Sequence, residues 1–189
     1  MPKTIPIVST AECEAPSTGY LRKISNTLFA ALQAHAWKCR GKKVVVTNGV
    51  FDILHVGHIK FLEAAKAGGD YLIVGINSDR AVSILKGPNR PINKQGDRMA
   101  VIAALESVDL VVLVDSVRVH DFIEAIQPTI WAKGGYTDST LDKGEVEAAR
   151  RVKAEIALLK LVEGVSTTNV INAIRQPEGR STQQRSRRK

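Results

Sequence analysis

Two imidazoles stand three residues apart in the stretch NGVFDILHVGHIKFLEAAKAGGD, which begins at Asn48: His55 and His58, with Gly57 between them. Histidines so spaced can ligate a metal, meet an anion, or simply cap and pack a turn. Ligation asks for a third ligand, and no cysteine, further histidine or H-E-x-x-H pattern lies nearby. Contact with an anion asks for close backbone approach and for donors. Gly49 and Gly57 lack a Cβ, so a ligand can come close to the main chain there. The amphipathic stretch that follows would add a helix N-terminus, with free N–H groups and a partial positive charge. The residues point to phosphate more than to metal.

Such a turn must be held by a strand before it and a helix after it. The run Val44–Val46 supplies the strand, and His58 to Ala67 has helical spacing closed by Gly68 and Gly69. On that helix Ile59, Leu62 and Ala65 would face the sheet. Further apolar runs lie near Ile73, Val112, Trp131 and Leu159. They are continuous rather than alternating, as in strands covered on both faces, so a parallel sheet is expected. Between them, helical patterns span Asp97 to Glu106, Val119 to Ile126, Gly144 to Lys153 and Thr168 to Ile174. Ahead of the sheet, Leu21, Ile24, Leu28, Ala31 and Leu32 suggest a helix from about Tyr20 to Trp37. Strand and helix in alternation predict an α/β fold: a Rossmann-like open parallel sheet with helices on both faces. Ligands of such sheets bind beyond the carboxyl ends of the strands, where the histidine turn falls.

The 189 residues suffice for one domain, expected over residues 20–176. Residues 1–19 read as a flexible lead-in and residues 177–189 as a disordered basic tail. That tail carries Arg180, Arg185, Arg187, Arg188 and Lys189 against Glu178, half of the net charge of +8. A solvated end is the expected reading, ahead of nucleic-acid contact. No apolar run is long enough for a bilayer, and Cys13 and Cys39 form no C-x-x-C pair, so a cytoplasmic setting is expected.

The residues around the histidines resemble a known family. TNGVFDILHVGH matches the T-x-G-x-F-D-x-x-H-x-G-H signature of the cytidylyltransferase-like nucleotidyltransferases. The likeness continues through NSDRAVSILKGPNRPIN, DRMAVIAALESVD, WAKGG and EGVSTTNVI, from about Gly41 to Ile174, and is strongest to the heptose-phosphate adenylyltransferase branch. One departure stands out. That branch carries an acidic residue after K-G-G, whereas here Tyr136 follows and Asp138 comes two residues later.

The resemblance implies a nucleoside triphosphate lying over the signature turn, ATP in preference to CTP, and a phosphorylated sugar as second substrate. It implies Mg²⁺ carried by the nucleotide phosphates and no metal held by the protein alone. A homodimer fits the family, and no membrane contact is expected. Thr47, Asn48, Gly49, Phe51, Asp52, Gly57, Arg90, Lys133, Gly134, Ser166 and Thr167 would form the nucleotide site, with His55, His58 and Lys86 carrying catalysis. Lys86 and Arg90 would belong to a basic loop over the phosphates. Asp52 has a structural reading as well, holding the turn through its carboxylate, and Ser166 could be a helix cap. Two other functions stay open: a cytidylyltransferase for glycerol 3-phosphate or a similar phospho-alcohol, and a nucleotide-binding regulator without catalysis.

Overall fold

The computed structural model describes residues 19–137, 139–162 and 164–175. Six strands form one sheet, and every neighbouring pair is parallel. They are β1 (Ile24–Ser25), β2 (Val44–Gly49), β3 (Tyr71–Asn77), β4 (Leu110–Val114), β5 (Ile130–Gly134) and β6 (Glu155–Leu159). The helices are α1 (Thr27–Cys39), α2 (Val56–Ala67), α3 (Asp79–Lys86), α4 (Gln95–Ala103), α5 (His120–Ile126), α6 (Lys143–Arg151) and α7 (Thr167–Arg175). Several start on a side chain that takes up a free N–H: Asn26 accepts from Phe29, Ser78 from Ala81 and Asp142 from Glu145.

Strand pleating explains the two-sided core. Val44, Val46, Ile73, Val112 and Trp131 pack with α1, α5 and α6 on one face. Val45, Leu72, Val74, Ile76 and Val111 alternate with them and pack with α2 and α4 on the other. Each such side chain contributes roughly 1.5–3 kcal/mol by leaving water. The expected Rossmann-like sheet with helices on both faces is therefore present.

Three local expectations change. The segment from Tyr20 is not one helix: Leu21–Lys23 is a 3₁₀ turn, Ile24–Ser25 pairs with β4 as an edge strand, and α1 starts at Thr27. Its buried face is Ala30, Ala34 and Trp37, while Leu28 and Leu32 are exposed. Small alanines let the helix sit close on the sheet, and Trp37 stacks on Tyr71 with ring centroids 3.9 Å apart. On α2, Leu62 and Ala65 are buried as expected, but Phe61 is the third buried side chain and Ile59 only partly so. The run near Leu159 is an edge strand covered only in part. The lead-in, except Gly19, and the basic tail lie outside the described residues.

The strand order is β1-β4-β3-β2-β5-β6. From β2 the chain winds outward through β3 and β4, then returns to the other side of β2 for β5 and β6. The reversal point is the gap between the carboxyl ends of β2 and β5, where Asn48, Gly49, Lys133 and Gly134 stand.

Candidate active site

The chain leaves β2 through a tightly held turn. Phe51 has φ of 46°, a left-handed backbone that bulky residues avoid. The buried Asp52 carboxylate accepts from the backbone N–H groups of Ile92 (2.9 Å) and Asn93 (2.8 Å) and from Arg90 Nε (2.7 Å). Arg98, 1 % exposed, donates to the carbonyls of Val50, Asn77 and Asn93 and pairs with Asp79 at 2.9 Å. These bonds fix an unfavourable conformation that local sequence alone would not hold.

The turn presents the histidines. His55 is the residue before α2, and its carbonyl accepts from His58 N–H at 2.9 Å. The rings stack with centroids 3.7 Å apart and 18° between planes. Gly57 makes this possible: a Cβ there would stand 3.0 Å from His55 Nδ1. Both Nδ1 atoms are buried without a hydrogen-bond partner. Burial, and then the neighbouring His55 ring, lowers the His58 pKa to about 4. Burial lowers that of His55 too. At about 4, His58 is neutral at pH 7.

A cavity of about 820 Å³ opens at the reversal point. Of the residues expected from sequence, Asn48, Gly49, Phe51, Asp52, His58, Lys86, Arg90, Lys133, Gly134 and Thr167 line it. Thr47, His55, Gly57 and Ser166 do not. Thr47 is wholly buried within β2, His55 stacks behind His58, and the Ser166 hydroxyl caps α7 by accepting from Asn169 N–H at 3.1 Å. Lys86 is no loop residue: it ends α3, is exposed, and has no hydrogen-bond or ion-pair partner among the described residues.

The opposite wall, Lys133 and Gly134 apart, was missing from the sequence reading. Lys133 and Glu145 form a buried ion pair at 3.2 Å, and Lys133 Nζ also donates to Asn48 Oδ1 at 3.2 Å. Arg118 pairs with Asp142 at 2.6 Å. Lys143, Thr140 and Tyr136 complete that side, while Asp138 lies outside the described residues. Glu145 carried no motif, and it reaches β5 because α6 follows that strand directly. Altogether five cations face three carboxylates, so the cavity favours an anionic guest. Leu161 lies on bare glycine backbone, where a Cβ on Gly134 or Gly135 would come within 2.8 and 2.5 Å of it.

Among the described residues no three His, Cys, Asp or Glu gather to hold a metal. Each carboxylate lining the cavity is already ion-paired. No described helix is long and apolar enough to cross a membrane.

A donor-lined reversal point in an open parallel sheet defines a nucleotide-binding α/β protein. The family model described as cytidylyltransferase-like matches residues 46–187, and the chain belongs to that family of nucleotidyltransferases. It is 42 % identical over 179 residues to the bifunctional protein HldE of Methylobacillus flagellatus, covering 90 % of this chain and 36 % of that one. It is 48 % identical over 141 residues to the bifunctional protein HldE of Wolinella succinogenes, covering 75 % and 29 %. The chain thus spans about a third of these relatives' length. A crystal structure of the lipopolysaccharide core biosynthesis protein from Thermoplasma volcanium superposes with a TM-score of 0.53 at 28 % identity, covering 65 % of this chain and 98 % of that one.

Proposed function

We propose that this nucleotidyltransferase moves the adenylyl group of ATP onto a sugar 1-phosphate, heptose 1-phosphate being the candidate, and releases pyrophosphate. The observation that carries the reading is His58, its Nδ1 unpartnered and the His55 ring stacked on it, in the wall of a cationic cavity. Sequence likeness to the heptose-phosphate adenylyltransferase branch supplies the acceptor, and a neighbour named for lipopolysaccharide core biosynthesis agrees with it.

The acceptor phosphate is mostly dianionic at pH 7, its second pKa being about 6, so it needs no general base. Its oxygen forms a bond to the α-phosphorus as the bond from that phosphorus to the bridging oxygen breaks, and pyrophosphate leaves with the electron pair. The barrier lies in bringing anions together, so catalysis is positioning and charge neutralisation. His58 meets the triphosphate, with His55 stacked behind it as its support. Lys86, Arg90 and Lys133 meet phosphate oxygens from the other sides, and Thr167 stands at the N-terminus of α7. A phosphate charge about 4 Å from an imidazolium favours it by about 4 kcal/mol at an effective dielectric of 20. The helix N-terminus opposes it by roughly 0.3–1 kcal/mol. The gain roughly offsets the burial that lowers the His58 pKa to about 4, so the ring takes up a proton in part when triphosphate binds near pH 7. Mg²⁺ would come with the nucleotide and add positive charge beside the phosphates, the cavity's carboxylates Asp52, Asp142 and Glu145 being engaged in ion pairs.

Leu161 bears on the base. Relatives specific for CTP and glycerol phosphate carry an arginine at its place in the late S-T-T segment. Here the position holds a half-exposed apolar side chain that donates nothing. Pyrophosphate release with heptose 1-phosphate should show kcat/KM at least tenfold higher for ATP than for CTP. A preference for CTP would overturn the adenylyl assignment and favour the cytidylyl reading. A nucleoside triphosphate donor fits a cytoplasmic setting.

A further inference from the structure

Glu145 has no part in the steps above, yet with Lys133 it makes the most enclosed charge pair facing the cavity. Lys133 is 5 % and Glu145 6 % exposed. An ammonium has three N–H donors. One goes to Asn48 Oδ1 at the end of β2 and one to Glu145 Oε2 on α6, each at 3.2 Å. The rings of Trp131 and Tyr136, with centroids 5.0 and 4.9 Å from Nζ, restrict the head further. One N–H is left, on a group that lines the cavity. Glu145 is itself fixed: its backbone N–H donates to the Asp142 cap at 3.1 Å, and Oε1 accepts from Val119 N–H at 3.4 Å.

We propose that Glu145 is a positioning residue: it holds Lys133 so that its one remaining N–H meets a single phosphate oxygen of the triphosphate. The carboxylate also cancels a unit of charge beside that oxygen, so it adds nothing to ground-state affinity. Its effect falls on turnover. This rests on the function proposed above, in which Lys133 meets triphosphate.

The test is a double-mutant cycle of Lys133→Met and Glu145→Gln, with kcat and KM for ATP read separately. Glu145→Gln should lower kcat at least tenfold without raising KM. In the Lys133→Met background the same substitution should change kcat less than twofold, because Glu145 acts only through Lys133. An equal loss in both backgrounds, or an unchanged kcat in Glu145→Gln, would overturn the proposal. Glu145→Asp keeps the charge but withdraws the oxygen by one methylene. It should lower kcat while keeping Tm within a few degrees, which covers the case in which the glutamine variant does not fold. Calorimetric titration with inorganic tripolyphosphate separates the two readings. If the intact chain makes no pyrophosphate from any substrate pair, the proposed function fails. The Lys133 contact still stands if Lys133→Met weakens tripolyphosphate binding at least tenfold, and falls if that variant binds as the intact chain does.

Discussion

Beneath the β2–α2 turn, Asp52 and Arg98 spend their polar groups on the protein: on backbone N–H groups, carbonyls, Arg90 Nε and Asp79. A few residues on, His55 and His58 keep their Nδ1 atoms buried and unused. Both groups belong to the same cavity region, and Asp52 and the histidines were expected from the sequence to serve the nucleotide. Their hydrogen bonding separates them. A buried polar group with its partners in place defines the shape of the site. One without partners costs roughly 1–3 kcal/mol to keep, and a fold retains it most readily where a ligand later supplies the partner. The comparison gives Asp52 and Arg98 structural partners and leaves the histidines, on the proposed function, to meet the ligand.

The largest effect should come from the satisfied group. Arg98→Met leaves three carbonyls and Asp79 without their donor, and removing one partner of a buried pair costs about 3–5 kcal/mol. For a chain of this size Tm should fall by on the order of 10 °C, read by calorimetry. A variant with unchanged Tm would break the comparison on its structural side.

Next comes His58→Ala, which removes a charge-stabilising donor. Turnover should drop by about 10²–10³ while stability at pH 7 hardly changes. His55→Ala should lose turnover as well, through the stacked ring it supports. Near-normal pyrophosphate release from both variants would reduce the histidines to packing.

A smaller effect follows from the lowered His58 pKa, about 4 against an ordinary 6.5. The sign is fixed by proton uptake. Between those values the unfolded chain binds the proton and the folded chain does not, so stability is complete above about pH 6.5 and declines as pH falls toward 4. With solvent screening allowed for at this partly exposed ring, the loss is about 1–2 kcal/mol. Urea unfolding at pH 7 and pH 4.5 should show it in the intact chain and less of it in His58→Ala. Triphosphate binding near pH 7 should take up protons, seen as a calorimetric heat that changes with buffer. A heat independent of buffer would mean that His58 stays neutral in the complex.

The sequence showed most of what is local. Val44–Val46 and the other apolar runs are strands because a buried parallel strand needs apolar residues on both faces. The histidine turn was visible because glycine, histidine and the strand-to-helix change fall within a dozen residues. What was hidden depends on chain segments far apart. β1 has two residues and exists only through pairing with β4. α1 offered two apolar stripes, and the sheet selected the alanine one. Glu145 was hidden for another reason: it meets Lys133 across the β5–α6 connection, twelve residues along the chain, where no helix or strand period marks the contact. Asp52 carried two readings from the sequence, nucleotide contact and support of the turn, and only the fold shows the two backbone N–H groups, from 40 and 41 residues on, that its carboxylate accepts.

The smallest effect is expected at Ser166, where the two classes of the comparison meet. Sequence offered two readings, nucleotide contact or helix cap. The structure shows the hydroxyl accepting from Asn169 N–H at 3.1 Å, and the residue stands outside the cavity lining while Thr167 and Thr168 stand within it. By its hydrogen bonding Ser166 belongs with Asp52 and Arg98. Ser166→Ala should therefore cost about 1 kcal/mol of stability, and Ser166→Gly only a few tenths. That corresponds to about 2–4 °C in Tm for the alanine variant, with kcat/KM within twofold for both. A capping serine still has its own O–H to donate, so contact with a phosphate is chemically open to it. Such contact would show as a loss of kcat/KM of tenfold or more in both variants, the glycine one included, where the cap is nearly preserved. That result would move Ser166 to the side of the histidines, with α7 delivering its hydroxyl to the ligand.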